Sequence, residues 1–142
     1  MDPRTKARQL AMQALFQLDV QGPSLIPDLD DFFRENAPEA PVRILASDWT
    51  RGTWTNLVIC DNLITGAALK WKLSRLSQVD KSILRLAVYH LNFGPDIPPK
   101  VTINEALELA TNFGTDKSPG FVNGVLDGVL RKMQEIKQEA PK

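Results

Sequence analysis

Few side chains in this chain are suited to bond-making chemistry. His90 is the one histidine and Cys60 the one cysteine. A lone imidazole excludes a histidine metal pair, and a lone thiol excludes an internal disulfide or a cysteine zinc cluster. His90 falls in an apolar helical stretch, as a structural or half-exposed residue. A hydrolase built on it would need a nucleophile motif, and none accompanies it. Cys60 lies in a long apolar helix and serves as small core filler. Glu105 and Glu108 stand three apart on a helix, a spacing of a solvated face more than of a general acid–base pair. Gly120, Gly124 and Gly128 recur every four residues, which puts them on one helix face where a neighbouring helix can approach. They are not a dinucleotide fingerprint, because no strand precedes them. No catalytic residue, metal site or cofactor is expected, and a binding module is favoured over an enzyme.

Two features suit recognition instead. Arg4, Lys6 and Arg8 form a basic cluster at the start of the chain. The net charge is zero, from 17 basic and 17 acidic residues, so no global field draws the protein to a polyanion. A basic arm on a neutral protein points to a local contact. The second feature is Phe121, at the start of a helix and on the edge of its apolar stripe. From position alone it is flanking core, with Asn104 and Asn123 bonding between helices. The functional reading makes the helix start a partner surface.

The elements that must position these residues are all helical. Arg4–Val20 places Ala7, Leu10, Ala11, Ala14, Leu15 and Leu18 on one stripe. Arg8 flanks it on one side, with Lys6, Gln13 and Gln17 as a polar row on the other. Met12 and Phe16 point away, and for Phe16 a second core face is expected. Gly22-Pro23 ends this helix. A shorter one over Leu25–Asn36 carries Leu29, Phe32 and Phe33, and Ala37–Pro41 is a proline-rich loop. Ser47 and Asp48 open a long helix to about Leu69, burying Trp54, Leu57, Val58, Ile64 and Ala67, with Asp61 as a polar exception. Gly52 and Gly66 mark close packing or a break in it. Ser77 resembles a cap for the helix Asp80–Phe93, which is apolar almost all round and therefore central. Arg85 within it needs a carboxylate or carbonyl partner if buried. Gly94-Pro95 stops it.

Asp96–Asp127 then reads as stop, helix, turn, helix. Pro98 and Pro99 end what precedes. Thr102-Ile-Asn-Glu105 has the form of a capping box, followed by an apolar face of Ile103, Ala106, Leu107, Ala110 and Phe113. Gly114 suits a helix terminus with positive φ. Ser118-Pro119 restarts the chain as N-cap and first-turn proline. Val122, Val125, Leu126, Val129, Leu130, Met133 and Ile136 form the last stripe. The expectation is one all-α domain over residues 1–142, with about six to seven helices around a central apolar one and a frayed tail at 138–142. No apolar run reaches membrane-spanning length, and the polar N-terminus has no secretory signal. A cytoplasmic protein is expected.

Five segments together resemble the NusB family of bacterial transcription antitermination factors: KARQLAMQALFQLD, RGTWTNLVICDNLI, RLSQVDKSILRLAVYHL, DIPPKVTINEALELATNFG and SPGFVNGVLDGVL. They follow the family's order and cover nearly the whole chain. The INEA-ELA and FVNGVLD motifs are specific in combination. The resemblance implies two packed helical halves without catalysis. It also implies binding of boxA RNA, notably in ribosomal RNA leaders, together with NusE, a small-subunit ribosomal protein. That complex joins RNA polymerase and other Nus factors to suppress termination.

Carried over by position, the family's basic motif falls on Arg4, Lys6 and Arg8. Its QAL(Y/F) segment falls on Gln13 and Phe16, and the aromatic opening the last helix falls on Phe121. Cations would hold phosphates while an exposed ring stacks on an unpaired base. About three phosphates on a single strand give a log–log salt slope near −2, modest enough that a protein partner should matter. The chain departs from the family at Thr5, where arginine is common, and at His90, where the YEL motif has glutamate. An aromatic RNA contact near Ala67–Ala68 in some relatives is absent. Lys117 occupies a loop position often acidic, adding an RNA contact or altering partner docking. The nearest rival is a NusB-like accessory to an rRNA cytosine methyltransferase. It would need a separate enzyme, since no cofactor domain or catalytic cysteine motif is attached. A homodimer through Met12 and Phe16 would hide the basic arm.

Overall fold

The computed structural model describes residues 2–94 and 96–139. Seven α-helices follow one another: α1 Pro3–Gln21, α2 Leu29–Asn36, α3 Ala40–Thr55, α4 Leu57–Ala67, α5 Gln78–Phe93, α6 Pro99–Phe113 and α7 Ser118–Glu139. Short 3-10 segments at Pro23–Asp28 and Leu73–Arg75 connect them. Helix α5 packs against α1 and α3 on one side and against α4, α6 and α7 on the other. It thereby joins two helical halves, as its all-round apolar surface requires. Ile83, Leu84, Leu86 and Val88 of α5 lie in the centre of the core.

Local sequence explains most boundaries. Asp2 caps α1 by accepting from the Arg4 amide at 2.8 Å, and Gly22 ends it at φ +90°, a conformation that favours glycine. Ser77 caps α5 through the Asp80 amide at 3.0 Å. Pro23 and Pro27 lack the amide donors an α-helix would use, so the expected helix from Leu25 is α-helical only from Leu29. The expected loop at 37–41 is shorter, because α3 begins at Ala40 and accommodates Pro41 in its first turn, where an amide hydrogen is not needed.

The long helix expected from Ser47 to Leu69 starts earlier and is broken. Thr50, Thr53 and Asn56 each bond back to the carbonyl four residues earlier, at 2.7, 2.6 and 2.8 Å, an arrangement that competes with the regular ladder. Asn56 leaves helical geometry at φ −103° and ψ 24°, and α4 starts afresh. The restart turns Cys60 and Ile64 into the core and leaves Val58 74% exposed, against expectation. Burial and the neighbouring Asp61 push the Cys60 thiol up to about 12, in keeping with an inert filler. Gly52 marks close packing, since a side chain there would collide with the Tyr89 ring.

The stretch from Asp96 onward differs most from its sequence pattern. Pro99 does not stop a helix but begins α6, because its fixed φ suits the first helical position. Thr102 therefore lies inside the first turns, and the capping box does not form. Its hydroxyl is buried without a protein partner, and Glu105 reaches to α1 instead. Gly114 is extended at φ −95° and ψ −163°. Glycine is needed there for space, because a Cβ would meet the Ser118 side chain. Ser118 is the first residue of α7, and its hydroxyl accepts from the Thr115 amide at 3.0 Å. Only Gly128 of the three spaced glycines meets a helix, with Ala67 3.2 Å from where its Cβ would be. Gly120 and Gly124 face open space, and Asn104 and Asn123 are exposed. They do not lock the helices; the apolar stripe of Val122, Val125, Leu126 and Val129 does. Gln138 and Glu139 continue α7, so the tail expected to fray is helical there, and its remainder lies outside the described residues, as does Pro95.

Arg85 finds the partners its burial demands. It donates two bonds to Asp61 at 2.8 and 2.9 Å and one to Asp19 at 3.0 Å. Burial works against its charge, and these hydrogen bonds more than offset that, raising its pKa. Lys81 also meets Asp19 at 3.3 Å, so one network ties α5 to α1 and α4. Arg85→Ala should lower unfolding free energy by roughly 3 kcal/mol by stranding Asp19 and Asp61, read as a fall in the urea midpoint at unchanged m-value. A loss below about 0.5 kcal/mol would show that the network does not hold the helices.

Candidate nucleic-acid interface

The first helix separates its three basic residues. Arg4 is exposed, Lys6 half-exposed and Arg8 buried. Arg8 lies 5.3 Å from the centre of the Trp49 ring, a cation–π distance, and 3.7 Å from Glu105. Thr5 donates to the same carboxylate at 3.1 Å. Burial lowers the Arg8 pKa and Glu105 partly restores it. The expectation that Arg8 holds a phosphate is corrected, because its guanidinium is turned into the protein at the junction of α1, α3 and α6. The helical period puts Lys6 on the opposite side from Arg8; Arg4 shares the face of Arg8 but lies one turn earlier, at the exposed start of α1.

His90 also packs against Trp49, edge to face at 4.5 Å, and is 2% exposed. An imidazole enclosed in this way is not open to a substrate. Burial, and then the nearby Arg8 charge, lower its pKa to about 3, so it is neutral. Arg8 Nε, His90 Nε2 and Thr102 Oγ1 have no protein partner, and the three residues line one cavity of about 10 Å³. That cavity is about the size of one water molecule, and these three residues are the polar part of a lining otherwise made of Ile83, Leu86, Ala87, Ala106 and Leu109.

Farther along α1, Gln13 and Phe16 are half-buried in a groove of about 340 Å³. Its walls include Phe32, Val79 and Phe113. From Arg4 to Gln13 is about 14 Å along the helix axis. Met12 is 2% exposed and forms the groove's floor, so it offers no dimer face.

Phe121 is half-buried and meets Trp71 edge to face at 5.9 Å. Beside them is a hollow of about 200 Å³ lined also by Arg75, Leu76, Ser77, Asp80 and Lys117. Consecutive residues of the first turn of α5 line the two depressions: Val79 faces Phe16 and Asp80 faces Phe121. The α6–α7 corner does the same through Phe113 and Lys117. Gln13 and Phe16 thus line one depression and Lys117 and Phe121 the other, with the start of α5 between them. Trp71, 56% exposed, was missed by sequence reasoning. The alternation of basic and apolar residues in Leu69-Lys-Trp-Lys-Leu-Ser-Arg75 was the available signal. No described helix is long and apolar enough to cross a membrane.

The model of the NusB family matches residues 5–131. The Geobacter sulfurreducens transcription antitermination protein NusB is 43% identical over 136 residues, covering 95% of this chain and 99% of that protein. The Symbiobacterium thermophilum NusB is 41% identical, covering 92% and 91%. The solved structure of T. maritima NusB superposes with a TM-score of 0.81 at 38% identity, covering 93% of each chain. A structure of the antitermination factors NusB and NusE in complex with double-stranded RNA shares the fold, with a TM-score of 0.83 at 23% identity and 93% and 98% coverage.

Two measurements follow from the Arg8 junction. Arg8→Ala should lower stability by roughly 3 kcal/mol, whereas Arg4→Ala should stay within about 0.5 kcal/mol; urea midpoints of the two compare them. The depressed His90 pKa makes the unfolded chain bind more protons between about pH 3 and its ordinary value near 6.5. The stabilising contribution is complete above pH 6.5 and is lost as pH falls, at up to about 1.4 kcal/mol per pH unit. His90→Gln should flatten the stability profile between pH 6.5 and 5, above the range where most carboxylates titrate. An unchanged slope would contradict a neutral, buried imidazole.

Proposed function

The chain belongs to the NusB family, and from that membership we propose that it is a transcription antitermination factor that binds boxA-type single-stranded RNA together with NusE. The observation that carries the RNA reading is the surface itself. Arg4, Lys6 and Lys117 project basic groups without acidic partners among the described residues, while Gln13 and Phe16 present a carboxamide and a half-exposed ring farther along α1 and Phe121 presents a second ring beside Lys117. Cations hold the phosphates and the rings take unpaired bases. Arg8 acts one step back, fixing α1 against α3 and α6 through Trp49 and Glu105. The bound RNA is that of nascent ribosomal transcripts in the cytoplasm, and the complex acts with RNA polymerase and other Nus factors. No residue serves as a catalyst in this role. Residues 1–142 work as one domain.

The test is a titration of a boxA-like RNA and a scrambled RNA, with and without NusE, at two salt concentrations. The boxA-like RNA should bind more tightly when NusE is present. With three cations engaged, the log–log salt slope should lie near about −2. Arg4→Gln with Lys6→Gln should flatten it by about 1.4, and Phe121→Ala should weaken binding at nearly constant slope. Equal affinity for the two RNAs in the presence of NusE would sink the proposal.

A further inference from the structure

We infer that the closed cavity where α1, α5 and α6 meet is a binding site for one water molecule, which accepts from Arg8 Nε, donates to His90 Nε2 and bonds the Thr102 hydroxyl. The inference stands apart from the RNA-binding reading and does not depend on it.

Unmatched polar atoms converge on this place. Among the described residues, four buried side-chain nitrogen or oxygen atoms have no protein partner. Three of them, Arg8 Nε, His90 Nε2 and Thr102 Oγ1, belong to residues that line this one cavity. The three residues are 5%, 2% and 2% exposed, and each comes from a different helix. A buried donor or acceptor left unmet costs free energy, and a single shared ligand satisfies all three. Thr102 departs from the other helical threonines in the same sense. Thr50, Thr53 and Thr111 donate to the carbonyl four residues earlier, a common use of a hydroxyl inside a helix. Thr102 makes no such bond, so its hydroxyl is left to the cavity.

Size and charge select the ligand. A volume of about 10 Å³ holds one water, and a phosphate, a carboxylate or a hydrated metal ion has no room. A bare cation would meet the Arg8 guanidinium with no carboxylate in the lining to offset it. Internal waters make about three hydrogen bonds, the number offered here. The donors and acceptors also set the water's orientation. Arg8 Nε can only donate, so it takes a lone pair of the water. His90 is neutral, and a neutral imidazole has one donating and one accepting nitrogen. The positive charge of Arg8 favours a lone pair on the ring nitrogen that faces the cavity, so Nε2 accepts and Nδ1 carries the proton. The Thr102 hydroxyl, donor and acceptor alike, completes the set. Arg8 is thereby held by Glu105, by the Trp49 ring and by the water.

The test is nuclear magnetic resonance on the full chain, isotopically labelled in nitrogen. The wild type should show a water cross-peak to the Arg8 Nε proton, and a His90 ring with Nδ1 protonated and Nε2 bare. Thr102→Val keeps the shape of the side chain and removes the hydroxyl. It should lose that cross-peak and speed solvent exchange of the Arg8 Nε proton by roughly tenfold, the equivalent of one hydrogen bond. Thr102→Ser retains the hydroxyl and should keep both the cross-peak and the slow exchange. Absence of the cross-peak in the wild type, a proton on His90 Nε2, or a Thr102→Val protein that behaves as wild type does would each overturn the inference. If Thr102→Val does not fold, the wild-type spectra and Thr102→Ser decide by the same criteria. Neither RNA nor NusE enters this experiment, so its failure leaves the functional reading intact.

Discussion

Arg85 lies in the middle of the central helix with 7% of its side chain exposed, and a guanidinium placed there has to be met by counter-charges. Desolvation of an ion costs several kcal/mol, and removal of one partner strands the rest. Asp61 from α4 and Asp19 from α1 supply the match from opposite directions. The register of α5 against both neighbours is therefore fixed by charge as well as by shape. Apolar residues tolerate exchange at equal volume; a three-helix charge network does not tolerate sliding.

The same constraint operates at a second arginine and shapes the surface. Arg8 is drawn inward by Glu105 of α6 and the Trp49 ring of α3. Glu105 is free to do this because Pro99 begins α6 early and leaves no capping task for it. The rotation of α1 that buries Arg8 turns Lys6 outward, while Arg4 is exposed because it lies at the first turn of the helix. Thr5 joins the arrangement through its bond to Glu105 rather than adding a charge to the arm.

Outside this core, the surface divides by whether cations are paired. Around α2 and α3 the arginines are neutralised by aspartates or carbonyls. Around Phe121 they are not. A protein with a net charge of zero can still carry exposed, unpaired cations, because pairing is local and five of its 17 acidic residues fall together between Asp28 and Glu39. Asp28, Asp30, Asp31, Glu35 and Glu39 lie on the far side of the sequence from Lys70, Lys72, Arg75 and Lys117.

By itself the sequence determined the all-helical class, the central position of α5, the Gly22 stop of α1, the Ser77 cap of α5, and the need of Arg85 for a partner. These are local or periodic properties: apolar spacing, cap residues and the cost of an isolated buried charge are readable along one dimension. It also marked Phe16 and Phe121 as aromatics off the main stripes, which is where the structure keeps them half-exposed. Only the tertiary structure decided that Arg8 is a core residue while Arg4 and Lys6 are not, because the partners that bury it, Trp49 and Glu105, are distant in sequence. Only it showed that Thr102 and Glu105 do not cap, that the break at Asn56 exposes Val58, and that Trp71 lies against Phe121. The stretch from Asp96 to Asp127 looked like a self-contained locking device. Its glutamate ties down the first helix instead, its asparagines face water, and its aromatic residue gains a neighbour about fifty residues away in the chain, because packing free energy depends on proximity in space, which pattern along the chain does not encode.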